Sequence, residues 1–141
     1  MLFGRGRLKA GQTVMINAVG SGIGSAGVQL ASHAGAFVIG NASSQEKLDR
    51  ATELGMDVGI NRLDENIAER VMEVTDGVGA DLVFEHVGGE MFQASMDSLM
   101  KDGAILANTG HFNAEINIPA LKKLSRKMSR IKKGYLPLFF A

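Results

Sequence analysis

The stretch VMINAVGSGIGSAGVQLASHAG, residues 14–35, decides the fold. An apolar strand runs into a glycine cluster, and the cluster runs into a segment with helical spacing. A phosphate chain can lie against main chain only where no β-carbon stands in the way. Free amides at a helix N-terminus then face it with the positive end of the helix dipole. Gly20, Gly22 and Gly24 supply that closeness, with Ser21 and Ile23 between them. As a bare pattern, GxGxxG matches Gly22, Gly24 and Gly27, but this register carries the last glycine a full turn into the helix. A second register ends on Gly24, with Ala18 and Ser21 at the earlier positions, and puts Gly24 where helix and strand pack most tightly. We take the second register.

Working outward, short β-rich runs alternate with longer helical ones, the pattern of a parallel sheet with crossover helices. Strands are expected at 13–18, 37–41, 58–61, 82–85, 104–108 and 129–134, giving an α/β, Rossmann-type doubly wound parallel sheet of about six strands. Ser43 and Glu46 have the spacing of a capping box, Asp64 is placed to cap the next helix, Pro119 suits a first helical turn, and Gly55 suits the position just past a helix end. Leu48, Ala51, Thr52 and Leu54 form an apolar stripe on the second helix, opposite Glu46, Lys47, Asp49, Arg50 and Glu53.

Composition narrows the function classes. The 141 residues suit one domain, here a single NAD(P)-binding unit over 1–141, and are short for a complete two-domain enzyme. Fifteen lysines and arginines balance 15 aspartates and glutamates, so no global field draws nucleic acid or an anionic membrane. The basic stretch 122–133 also carries Leu124, Met128 and Ile131, and reads as a solvated helix face running into a strand. With no cysteine there is no disulfide and no thiolate for catalysis or zinc, which fits a cytoplasmic protein. No apolar run approaches a membrane span, and no signal peptide is visible. The apolar tail LPLFFA is expected to pack against something, and hints at truncation.

Three stretches taken together resemble the medium-chain dehydrogenase/reductase superfamily, especially its quinone-oxidoreductase and zinc-type alcohol dehydrogenase branches. LKAGQTVMINAVGSGIGSAGVQLASHAGAFVIG is similar to that family's first βαβ unit, and EKLDRATELGMDVGIN to its second helix and third strand. GADLVFEHVGGEMFQASMDSLMKDGAILANTG is similar to its fourth and fifth strands. Ser21 departs from the glycine that many quinone-reductase-like members carry there. The resemblance implies that Val87, Gly88 and Gly89, and then Asn108, Thr109 and Gly110, lie near a bound nicotinamide. It also implies a substrate domain, with zinc ligands where zinc is used, mainly before the position of Met1. No catalytic residue and no metal are therefore expected in this chain. His86 and His111 read as polar loop residues beside the chemistry, and His33 as a surface residue.

Two other glycine-loop classes fail. Short-chain dehydrogenases need a YxxxK pair, but Phe139 stands at the lysine position after Tyr135. Methyltransferases usually carry acids where this chain has Asn17 and Asn41. The end of strand two chooses the cofactor. An NAD enzyme usually places an acid there against the ribose hydroxyls, whereas this chain has Ser43 and Ser44, with Lys47 one turn on and Arg62 after strand three. Hydroxyls and cations suit a 2′-phosphate, so NADP(H) is expected over NAD(H). The function expected is hydride transfer to or from a carbonyl, enone or quinone, the alternative being a nucleotide-binding or structural module without turnover. A homodimer through the sixth strand is expected as well, because 129–134 would otherwise leave an open edge.

Overall fold

The computed structural model of the chain describes residues 2–4, 6–89, 91–100, 105–108, 127–128 and 138–139. In chain order the elements are β1 (Thr13–Ile16), α1 (Gly22–His33), β2 (Phe37–Ala42), α2 (Gln45–Glu53), β3 (Val58–Asn61), α3 (Ile67–Val74), β4 (Leu82–Glu85), α4 (Met91–Asp97), β5 (Ile105–Asn108), β6 (Lys127–Met128) and β7 (Leu138–Phe139). They form one sheet in the order β3-β2-β1-β4-β5-β7-β6, parallel from β3 through β5. Because β1 pairs with β2 on one side and β4 on the other, the chain reverses its direction of winding at β1. In open α/β sheets a crevice forms at such a point, beyond the carboxyl ends of the strands.

Alternation within the strands builds two cores. Val14, Ile16, Val38, Leu82 and Phe84 pack with Val28 and Ala31 of α1 and Leu48 and Ala51 of α2. The intervening Met15, Ile39 and Val83 face the other way, against Ile60, Ile67 and Val71. A strand buried on both faces has to be apolar at every position, which is why VMI and LVF read as continuous runs rather than as alternating ones.

Several helix ends differ from the sequence expectation. Ser44, not Ser43, is the N-cap of α2, and Glu46 forms no capping box; its carboxylate pairs with Arg50 one turn on at 2.7 Å. Asn66 rather than Asp64 caps α3, accepting from the Glu69 N–H at 3.3 Å, while Asp64 accepts from the Asn61 amide. Thr52 is exposed, its hydroxyl turned back to the Leu48 carbonyl, so the buried stripe of α2 narrows to Leu48 and Ala51 with Leu54 against it. Gly55 does follow the end of α2, at φ +102°, with its N–H on Thr52 O and that of Met56 on Ala51 O.

The expected strand at 129–134 and the helix start at Pro119 lie outside the described residues, as do Thr109, Gly110 and His111. Part of the apolar tail has a place: Leu138–Phe139 is β7 and runs antiparallel to β5. Among the described residues no helix is long and apolar enough to cross a membrane.

Candidate functional site

The glycine turn leaves β1 abruptly. The Asn17 N–H still donates to Phe84 O across the sheet, but Ala18 turns into the left-handed region at φ +48°, and its carbonyl accepts from the Ser21 N–H at 2.9 Å. Ser21 then caps α1, its Oγ accepting from the Gly24 N–H at 3.0 Å. A β-carbon on Gly24 would stand 2.3 Å from the Ala18 carbonyl oxygen and 2.8 Å from Val19 Cα, all of it main chain that cannot swing aside. One on Gly27 would have only side chains as its nearest neighbours, the Phe84 ring at 3.4 Å and Ile16 Cδ1 at 3.5 Å. The close approach therefore belongs to Gly24, and Ala18, Ser21 and Gly24 are the positions that shape the turn. Gly22 has open space where its β-carbon would be, and it and Ile23 are exposed at the head of the helix. The first N–H groups of a helix have no partner within it, so this surface offers unpaired donors.

Beside the turn lies an open cavity of about 310 Å³ lined by Ala18, Gly20, Ser21, Ala42, Ser43, Lys47 and Arg62. Five residues singled out from sequence thus meet there: Gly20, Ser21, Ser43, Lys47 and Arg62. Ser44 does not; it stands at the N-cap position of α2, where its side chain makes no capping hydrogen bond. Lys47 reaches the cavity by laying its aliphatic stem over Gly20, where a β-carbon would come within 2.7 Å of Lys47 Cδ. Its Nζ donates to Ser43 Oγ at 3.5 Å. No carboxylate lines the cavity, and neither Lys47 nor Arg62 pairs with one among the described residues. The result is a small positive recess with hydroxyl donors.

At the other side of the turn, Val87 is exposed and Gly88 and Gly89 carry φ of +77° and +59°. Asn108 ends β5 opposite Glu85. His86, half-buried, sets Nε2 3.1 Å from Ser21 Oγ and so links the loop after β4 to the α1 cap. Burial lowers its pKa below the ordinary histidine value, against the pull of the Glu85 carboxylate.

Beneath the turn is a polar layer that the sequence reading did not pick out. Asn41, Asn17 and Glu85 are fully buried at the ends of three adjacent strands, and Ser95 of α4 closes the row. Glu85 Oε1 accepts from the N–H groups of Val87 (2.6 Å) and Gly88 (2.9 Å). Its Oε2 accepts from Asn17 Nδ2 at 2.5 Å and from the Ser95 hydroxyl. Asn17 Oδ1 in turn accepts from Asn41 Nδ2, and Asn41 Oδ1 accepts from the Ala18 N–H at 3.3 Å. A signal was present: VMIN, VIGN and LVFE each close an apolar run on a polar residue at the same sheet level.

Residues 22–133 match a family model described as zinc-binding dehydrogenase. The chain is 39% identical over 105 residues to a 2-haloacrylate reductase of a Burkholderia species, covering 74% of this chain and 31% of that one. Among solved structures, a mycobacterial protein in complex with NADPH superposes with a TM-score of 0.72 at 35% identity, covering 77% of this chain and 34% of that one. An NAD-dependent alcohol dehydrogenase superposes with a TM-score of 0.72 at 33% identity, covering 77% and 31%. The chain thus spans about a third of the length of these relatives. Despite the family's name, the sequence has no cysteine and the described residues hold no group of three or more metal-ligating side chains. The described residues therefore do not fit a zinc site.

Proposed function

Because the chain belongs to the zinc-binding dehydrogenase family of medium-chain dehydrogenase/reductases, we propose that it is the cofactor-binding part of an NADPH-dependent oxidoreductase. Family membership alone leaves the cofactor open, since both NADPH and NAD proteins stand among its structural relatives. The observation that carries the choice is the cavity beside the glycine turn, where Ser43, Lys47 and Arg62 meet with no carboxylate among the described residues. An acid there would repel a 2′-phosphate, whereas a hydroxyl and two cations attract one.

The roles follow from position. Ser43, Lys47 and Arg62 hold the 2′-phosphate end, and the N–H groups of Gly22 and Ile23, with the α1 dipole, hold the diphosphate at the turn beside Gly20 and Ser21. The loop of Val87, Gly88 and Gly89, with Asn108 at the end of β5, flanks the nicotinamide end. When bound, the cofactor supplies or accepts a hydride; the carbonyl, enone or quinone that exchanges it is held by a substrate domain outside this chain. A homodimer and a cytoplasmic location complete the reading. Titrating the chain with NADPH by the fluorescence of the reduced nicotinamide tests it. Saturable binding supports it, and no binding at submillimolar concentration overturns it. Adding a quinone to the bound chain then separates turnover from binding alone.

A further inference from the structure

We propose that Glu85 is a positioning residue whose carboxylate, acting through Asn17 and Asn41, fixes the main-chain amide of Ala18 and with it the glycine turn. The geometry leaves the row one donor order. An ionised carboxylate only accepts, so Asn17 must turn its NH₂ toward Glu85, and both of its hydrogens are used, on Glu85 Oε2 and on Ser95 Oγ at 2.7 Å. Asn17 Oδ1 therefore faces Asn41, which must present its own NH₂ and so keeps Oδ1 for the Ala18 N–H. Each amide orientation is dictated by the one before it. The chain begins at a carboxylate that also holds the N–H groups of Val87 and Gly88, and it ends on a residue lining the cavity. One buried group thus ties together the two loops that flank the crevice.

Glu85→Gln changes almost no volume but places a donor in the row. If the new NH₂ faces Val87 and Gly88, two main-chain donors are opposed. Facing Asn17 instead opposes one main-chain donor rather than two and is the lesser cost: both asparagines flip, and the Ala18 N–H meets an NH₂. The double variant Glu85→Gln/Asn17→Asp restores the order. The introduced glutamine accepts from Val87 and Gly88 and donates to the introduced aspartate, which accepts in turn from Asn41. Carboxylate and carboxamide have changed places along the row, and the charge is unchanged.

The test is amide hydrogen exchange at Ala18 in the 141-residue chain, together with the affinity for adenosine 2′,5′-bisphosphate, a probe of the cavity, whose lining includes Ala18 but not residue 85. In Glu85→Gln, protection of the Ala18 amide and probe affinity should each fall about tenfold or more, the scale of one buried donor left unpaired. The double variant should bring both back to within about threefold of the unmutated chain. A folded Glu85→Gln with both quantities unchanged overturns the proposal, as does a double variant that recovers neither. Should Glu85→Gln fail to fold, the double variant decides alone: regained fold and Ala18 protection support the relay, and an unfolded chain overturns it. The probe arm rests on the cofactor reading above, whereas the exchange arm does not. Absence of probe binding by the unmutated chain overturns that reading, and Ala18 protection still decides the relay.

Discussion

Gly24→Ala is the substitution that bears hardest on the geometry of the turn. The new methyl would lie 2.3 Å from the Ala18 carbonyl oxygen and 2.8 Å from both Ala18 C and Val19 Cα, so relief requires α1 to move off the sheet rather than a side chain to rotate. Overpacking of this kind costs about 1–3 kcal/mol, and the upper end applies because every opposing atom is main chain. Alanine returns about 1 kcal/mol of helix propensity. The net loss is then about 2 kcal/mol, or roughly 4–8 °C in Tm for a domain of this size. Gly27→Ala is the internal control. Its methyl meets the Phe84 ring at 3.4 Å and Ile16 Cδ1 at 3.5 Å, ordinary contacts, so propensity dominates and the variant should gain about 0.5–1 kcal/mol. Urea unfolding followed by circular dichroism reads both. A Gly24→Ala chain as stable as the unmutated one, or a Gly27→Ala chain that is the more damaged of the two, refutes the reasoning and returns the turn to the other glycine register.

Three more outcomes are expected. Ala18→Gly should stabilise the chain by about 0.5–1 kcal/mol, because the left-handed conformation at φ +48° costs alanine more than glycine's extra unfolded-state freedom costs the fold; a lowered urea midpoint would contradict this. Gly20→Ala should cost no more than about 1 kcal/mol, since its closest contacts are the movable Lys47 Cδ and Cγ with Cβ at 3.0 Å, yet it should displace Lys47 and shrink the preference for NADPH; isothermal titration with both cofactors shows whether the two effects separate. His86 has a folded pKa below its unfolded value near 6.5, so the unfolded chain takes up the proton first as pH falls. Its contribution is whole above about pH 6.5 and is lost as pH falls toward the folded pKa. His86→Gln should flatten that part of the urea-midpoint profile, and an unchanged slope would show that other groups carry it.

Much of this was legible in the sequence because the relevant physics is local. Glycine at a close approach, serine at a helix start and apolar runs closing at one level are properties of neighbouring residues, so β1, β2, β3 and β4 and the turn between β1 and α1 fall within a residue or two of expectation. The Ser43–Lys47–Arg62 grouping depended on chain order alone, since strands β2 and β3 are adjacent and parallel and deliver their ends to the same edge. What escaped was set by choices among near-equal partners. Ser43 and Ser44 compete for one cap position, as Asp64 and Asn66 do, and the winner depends on where the preceding strand ends. The Asn41–Asn17–Glu85 row was hidden for another reason: its members lie far apart in sequence, and an isolated polar residue after a strand reads as an ordinary loop start until the register sets the three side by side.

The central claim, a cavity built for a 2′-phosphate, is met most directly by titrating the unmutated chain and Lys47→Ala with NADPH and NADH under identical conditions. The unmutated chain should bind NADPH more tightly by about 1–3 kcal/mol, the scale of charge-assisted hydrogen bonds, and Lys47→Ala should remove much of that gap while barely changing NADH. Equal affinity of the unmutated chain for the two cofactors would contradict the account.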